Sequence, residues 1–232
     1  MRSRRAREWW TLLHPPYTML HLALITIGAC LVGPVSVSRY LETMGAFFLA
    51  LGVGAHALDE LQGRPLNTSI PSSHLIAAAV VGLGGAVGWG VWGMYVVSPY
   101  LAIFIVVGAF CALAYNLELF AGRLHRPLVL DLAWGAFPIL TAYFAQHRAL
   151  GVGACAAACF GALATELQRT LSTPARELRR RTVLLEGTVT RADGTTEPLR
   201  VGTVLYPLER GLKVLCWLGV AMAVALAYLR LR

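Results

Sequence analysis

An all-α, polytopic membrane bundle of about seven transmembrane helices is the fold class this sequence predicts. Three observations lead there. Apolar residues make up 57% of the 232-residue chain and charged residues only 14%, where a soluble domain carries roughly 25% charged residues. Apolar stretches long enough to cross the hydrocarbon core recur seven times along the chain. Their connecting segments alternate in charge. With the N-terminus inside, sixteen of the 20 Lys and Arg fall on the inner side, and only Arg39, Arg148, Arg230 and Arg232 fall outside. This is the asymmetry that orients membrane proteins.

The chain opens on Met1-Arg2-Ser3-Arg4-Arg5-Ala6-Arg7-Glu8-Trp9-Trp10. The apolar run after it is long and lacks a small-residue cleavage site, so the segment reads as a retained cytoplasmic start with Trp9 and Trp10 as interfacial anchors. Spans are expected at 17–36, 41–62, 74–94, 97–118, 128–146, 149–170 and 207–229 of a single integral membrane domain, 1–232. The second and sixth end in polar residues. The longest loop, 171–206, begins with the basic run Arg176 to Arg181 and then places Ala192-Asp193-Gly194 between β-prone stretches, a hairpin signal. That loop reads either as a solvated connector on anionic lipid or as a cap over a cytoplasmic-side cavity. The five cysteines lie in apolar segments, where packing is their ordinary role.

The polar residues at span ends carry the chemistry. His56, Asp59 and Glu60 stand at i, i+3 and i+4 where the second span leaves the hydrocarbon, so all three lean toward one side. Ionisable groups there are costly unless they face a partner or a polar cavity. Glu118, Asp131 and Glu166 occupy comparable positions on the fourth, fifth and sixth spans, and His21 lies inside the first. Carboxylates and imidazoles from several helices are a donor set for Mg2+ or a softer ion. Arg64, Arg123, Arg126 and Arg169 lie beside them. Acids that carry a metal and guanidiniums that take phosphate oxygens are what a diphosphate site needs. Positive-inside anchoring explains the same arginines without a ligand. The net charge of +8 fits anionic lipid rather than nucleic acid, because the basic residues sit between spans.

Three blocks give the chain a resemblance to the UbiA-type intramembrane prenyltransferase superfamily. Leu13-His14-Pro15-Pro16-Tyr17-Thr18 is similar to the family's Arg-Pro-x-Thr opening. His56 to Glu60, with Arg64-Pro65-Leu66 and Ile70-Pro71-Ser72-Ser73, stands where the family has Asn-Asp-x-x-Asp and then Arg-Pro-Ile-Pro-Ser. Ala114-Tyr115-Asn116, Arg123, Arg126-Pro127 and Asp131 through Gln146 resemble the fourth and fifth spans of quinone-pathway members. The resemblance covers roughly residues 10–170 and implies a helical fold around a central cavity open to cytoplasm and membrane.

It also implies a reaction: metal-assisted transfer, or cyclisation, of a polyprenyl diphosphate onto a lipid-phase or aromatic acceptor. On that reading His56, Asp59, Glu60 and Glu166 hold Mg2+ and Arg64, Arg123 and Arg126 take the phosphates. Asn116 belongs to the same substrate site, Tyr115 orients the leaving group, and Trp134, Phe137 and Tyr143 line the prenyl channel. The departures are specific. Ala57 replaces the first aspartate of the first motif, Arg64 stands where a further aspartate is expected, and only Glu166 remains of the second motif. The chain carries about seven spans where the family usually has nine. Two other readings therefore stay open. One is an enzyme using zinc or iron on a mixed N/O set. The other is a non-catalytic protein that binds an isoprenoid in the same scaffold. The arginine-, alanine- and glycine-rich composition is compatible with a prokaryotic cell membrane.

Overall fold

The computed structural model describes residues 2–231. Eight helices and one two-stranded hairpin follow in order: α1 (Arg2–Leu12), α2 (Pro15–Cys30), α3 (Val37–Leu61), α4 (Ser72–Val96), α5 (Leu101–Asn116), α6 (Pro127–His147), α7 (Val152–Arg180), β1 (Thr188–Thr190), β2 (Thr196–Pro198) and α8 (Val201–Arg230). The protein is an all-α integral membrane bundle. Four of its helices, α3, α4, α6 and α8, are long and apolar enough to cross a membrane. The helix α5 is apolar but shorter, at 16 residues. The equally short α2 is walled in by its neighbours and buries eleven of its 16 residues, so it meets little of whatever surrounds the bundle.

Local chemistry sets the helix ends. Pro15 and Pro16 open α2 at positions where a missing N–H costs nothing. His14 before them adopts a left-handed conformation (φ 43°) that turns the chain sharply out of α1. Thr18 Oγ1 donates to the Leu13 carbonyl at 2.6 Å and closes that corner. At the other end of the bundle, Gln146 Oε1 accepts from Ser36 N at 2.9 Å, while Arg39 Nη1 donates to the Gln146 carbonyl at 3.1 Å, tying α6 to the start of α3.

Interior contacts rely on missing side chains, as expected where helices are not driven together by water. A Cβ on Gly28 would lie 2.4 Å from the Ile139 carbonyl oxygen, so α2 and α6 touch backbone to side. Gly135 and Gly161 face each other across α6 and α7, where a Cβ on either would lie 2.3–2.4 Å from the other's carbonyl oxygen. Between α3 and α4, a Cβ on Gly82 would lie 2.7 Å from Gly54 N and from the Leu49 carbonyl oxygen, and one on Gly54 2.8 Å from Leu83 Cγ. Ala23, Leu24, Ile27, Ile139 and Ala223 fill the space among α2, α6 and α8.

Glu60 is wholly buried, and its role differs from the sequence expectation. One carboxylate oxygen accepts from Leu66 N at 2.9 Å, and the other from Thr68 N at 2.9 Å and Thr68 Oγ1 at 2.8 Å. Arg64 likewise turns inward on its own loop, donating to the Ile70 carbonyl at 2.6 Å and to Ser72 Oγ at 2.7 Å. Both residues knit together the 62–71 connection, which holds three positive φ values at Gly63, Arg64 and Asn67. These are uses a family alignment of charges does not reveal.

The hairpin forms where Asp193-Gly194 predicts it, with Thr188 opposite Pro198 and Thr190 opposite Thr196. Asp193 Oδ1 accepts from Thr195 N at 2.9 Å, and Gly194 takes φ +81°. The helix over the sixth expected span, α7, runs ten residues past its expected end at 170, through Pro174 to Arg180. The basic run expected in a loop is therefore helical.

Two substitutions test this packing. Gly161→Val should destabilise by about 3 kcal/mol, because the α7 backbone cannot retreat from Gly135. Gly84→Ala, with open space around its Cα, should leave the melting temperature in detergent unchanged. Separately, Glu60→Gln should cost about 2–3 kcal/mol by replacing a charged acceptor of three hydrogen bonds, seen as a lower melting temperature.

Candidate functional site

One end of the bundle opens into a cavity of about 720 Å³ lined by α2, α3, α5, α6, α7 and α8. Two helices that supply its walls are locally widened. Phe48–Ala55 of α3 and Asp131–Ala136 of α6 are π-helical, a local underwinding that often accompanies functional sites. His56 and Asp59 follow the first directly, and Trp134 sits within the second. Trp134 thus reaches the cavity from a π-helical turn, and His56 and Asp59 from the α-helical turn that follows one.

An aromatic and imidazole wall lines one side. The rings of His14 and His56 lie 5.3 Å apart, Tyr17 and His56 5.8 Å, Tyr115 and His125 4.3 Å, and Tyr115 and Trp134 4.9 Å. His56 Nδ1 donates to the Gly52 carbonyl at 3.2 Å and His125 Nδ1 to the Tyr115 carbonyl at 3.0 Å. Each bond fixes a tautomer in which Nε2 is left as an acceptor. Asn116 Nδ2 is spent on the Ala112 carbonyl at 2.7 Å, leaving its amide oxygen free of that bond. His14 is pushed down to about 4, first by burial and then by the positive field of His56, Arg180 and Arg176.

The opposite wall is cationic. Arg169, Arg176, Arg179 and Arg180 project from α7 and Lys213 from α8. Arg169 Nη2 pairs with the buried Asp131 at 3.1 Å, Arg179 pairs with Glu209, and Arg180 Nη1 donates to the Pro65 carbonyl at 2.9 Å. Spacings of seven and four residues put Arg169, Arg176 and Arg180 along one side of α7.

Behind the aromatic wall lies a second space. An apolar groove of about 150 Å³ runs between α3, α4, α5 and α6, past Phe47, Leu83, Trp89, Phe104, Ile105 and Phe137, to Arg39 and Glu42 at the far end of the bundle. Trp134 lines both the groove and the cationic cavity. The arrangement offers a polar chamber and an apolar trough that share one indole.

The sequence-predicted residues divide accordingly. His56, Asp59, Tyr115, Asn116 and Trp134 line the cavity together. Glu60 and Arg64 do not, being bound to the 62–71 loop. Arg123 and Arg126 lie exposed on the 117–126 loop, and His125 between them takes the inward place. Glu166 is exposed on α7, one turn of helix from Arg169 but outside the cavity lining. Tyr143 sits at the far end of α6, its ring 4.6 Å from that of His147. His21 is buried beneath Tyr17, at 4.1 Å, and donates to the Tyr17 carbonyl.

Among the described residues no group of three or more His, Cys, Asp or Glu side chains is placed to share a metal ion. Of the four predicted ligands His56 and Asp59 line the cavity, Glu60 is bound to its loop and Glu166 is exposed outside the lining. Of the α7 and α8 cations, sequence reasoning singles out Arg169 and misses Arg176, Arg179, Arg180 and Lys213 as site residues. The signal is the spacing of seven and four residues among Arg169, Arg176 and Arg180, which an expected span end at 170 conceals by placing the last two in a loop.

Fold and site define a class: an all-helical integral membrane protein with a cation-walled, aromatic-floored cavity at one end. Compared with protein-family models, with curated proteins and with solved structures, the chain matches none.

The depressed His14 value makes a pH prediction. Between 6.5, its ordinary value, and about 4, the unfolded chain binds a proton that the folded one refuses, so stability falls as pH falls across that window. His14→Gln should flatten this part of the curve of melting temperature against pH. An unchanged slope would place the titration elsewhere.

Proposed function

We propose that this protein is a UbiA-like membrane protein that takes a polyprenyl diphosphate into the cationic cavity with its tail along the apolar groove, and transfers the prenyl group to a lipid-phase or aromatic acceptor. The observation that carries this reading is the sharing of Trp134 between a cation-lined chamber and an apolar trough. A ligand with a multiply charged head and a long hydrocarbon tail matches both. The positive-inside asymmetry supports a topology of seven crossings, with the N-terminus and the cavity on the cytoplasmic side; the arginine-, alanine- and glycine-rich composition is compatible with a prokaryotic cell membrane.

The chemistry follows from the lining. Heterolysis of the allylic C–O bond sends the electron pair to the diphosphate, whose charge the arginines and Lys213 offset. The tyrosine and tryptophan rings face the resulting carbocation and exclude water from it. The acceptor then forms the new C–C or C–O bond and loses a proton, for which Asp59 and His56 Nε2 are the acceptors in the cavity.

A second reading, an isoprenoid-binding protein without transferase activity, is favoured by one observation. The two acids that best match the family's motifs, Glu60 and Glu166, are a loop brace and an exposed residue.

Thermal melting in detergent tests binding. In Mg2+ buffer, geranylgeranyl diphosphate at a hundred times its dissociation constant should stabilise the fold by about 2.7 kcal/mol, more than geranylgeraniol or inorganic pyrophosphate at equal concentration. Absence of any shift sinks the proposal. Diphosphate released in the presence of an acceptor marks transfer; binding without release marks the second reading.

A further inference from the structure

We infer that the diphosphate end of the ligand is gripped directly by Arg176, Arg180 and Lys213, and that its capture requires no Mg2+. This rests on the prenyl-diphosphate reading above and departs from the metal-bridged binding that the sequence resemblance implies.

The argument begins with the acids. Glu60 is consumed by the 62–71 loop, Glu166 is exposed outside the cavity, Asp131 is paired with Arg169, and Glu209 is paired with Arg179. Asp59 remains as the one carboxylate lining the cavity without an ion-pair partner among the described residues. Mg2+ is held between protein and phosphate by one or two carboxylates in strict octahedral geometry. A single one sits at the low end of that range, and here it shares a chamber with cations that repel a dication.

The cations are correspondingly unspent. Among the described residues neither Arg176 nor Lys213 has a hydrogen-bond or ion-pair partner, and Arg180 gives one nitrogen to Pro65 and keeps the rest. A guanidinium presents five donors in a planar fork suited to phosphate oxygens.

Their positions are set in advance. Asp131 holds α7 at Arg169, Glu209 holds it at Arg179, and the Pro65 carbonyl holds it at Arg180. Arg176 lies between the first tie and the other two. A ligand meeting cations on a helix already held in place loses no affinity to ordering the backbone that carries them. This explains why the basic run is a helix rather than a loop: it is one wall of the binding site.

The test uses the full-length protein in detergent and equilibrium binding of geranylgeranyl diphosphate, first in EDTA and then in Mg2+. Affinities within about threefold of each other are expected. Arg176→Gln and Lys213→Gln should each weaken binding in EDTA by roughly tenfold, with Arg176→Lys recovering part of the loss. Asp59→Asn should tighten binding in EDTA by removing a like charge, and Glu166→Gln should leave it unchanged. Inorganic pyrophosphate should compete in EDTA. Binding that appears only in Mg2+, or that disappears in Asp59→Asn, overturns the inference while leaving the proposed ligand standing. No binding under either condition removes the ligand reading and the inference together.

Discussion

Everything at the site depends on how closely α6 approaches its two neighbours. Gly28 lets the Ile139 carbonyl come against α2, and the Gly135–Gly161 pair lets α6 and α7 meet backbone to backbone. Only at that separation can Asp131, at the start of the widened turn, reach Arg169 on α7. The same contact sets Trp134 between chamber and groove. Helices in an apolar medium gain nothing from burying more hydrocarbon against one another, so close packing and polar links decide their arrangement. Here one helix pair uses both within a single turn.

A second constraint is the treatment of charge. The bundle collects ionisable side chains at one end, and most of those not facing the cavity are spent on loops or on one another. Glu60 is the clearest case: a buried carboxylate whose oxygens are all engaged by backbone and hydroxyl donors is no longer available to a metal. Leaving it unpaired would cost more than the loop it organises. Charge at a span end therefore signals a polar environment, but not which partner satisfies it.

Much of the architecture was legible in the sequence because hydropathy and length are read directly from composition along the chain. Helices cover each expected stretch, four of them long and apolar enough to cross a membrane, and Asp193-Gly194 turns the expected hairpin, while the N-terminal helix α1 has no counterpart in the sequence reading. The site was legible in part. His56, Asp59, Tyr115, Asn116 and Trp134 converge as their positions at span ends imply. The failures share a cause. Arg123, Arg126 and Glu166 stand at the correct depth, but depth does not fix the direction in which a side chain points. Arg176 and Arg180 were placed in a loop because the apolar run ends near 170, whereas the helix continues through Pro174 with ties to Asp131, Glu209 and Pro65.

The division of the walls along the chain has a consequence of its own. The groove is built by residues between Arg39 and Ala145, while every arginine and lysine of the cavity lies between Arg169 and Lys213. The two parts communicate through the Trp134 indole and through the α6–α7 contact. For the proposed ligand, head and tail would then be met by consecutive, nearly non-overlapping portions of sequence. Variation in the later portion would alter the cationic lining without altering the length or shape of the groove the earlier portion builds, so the two spaces are free to evolve one at a time.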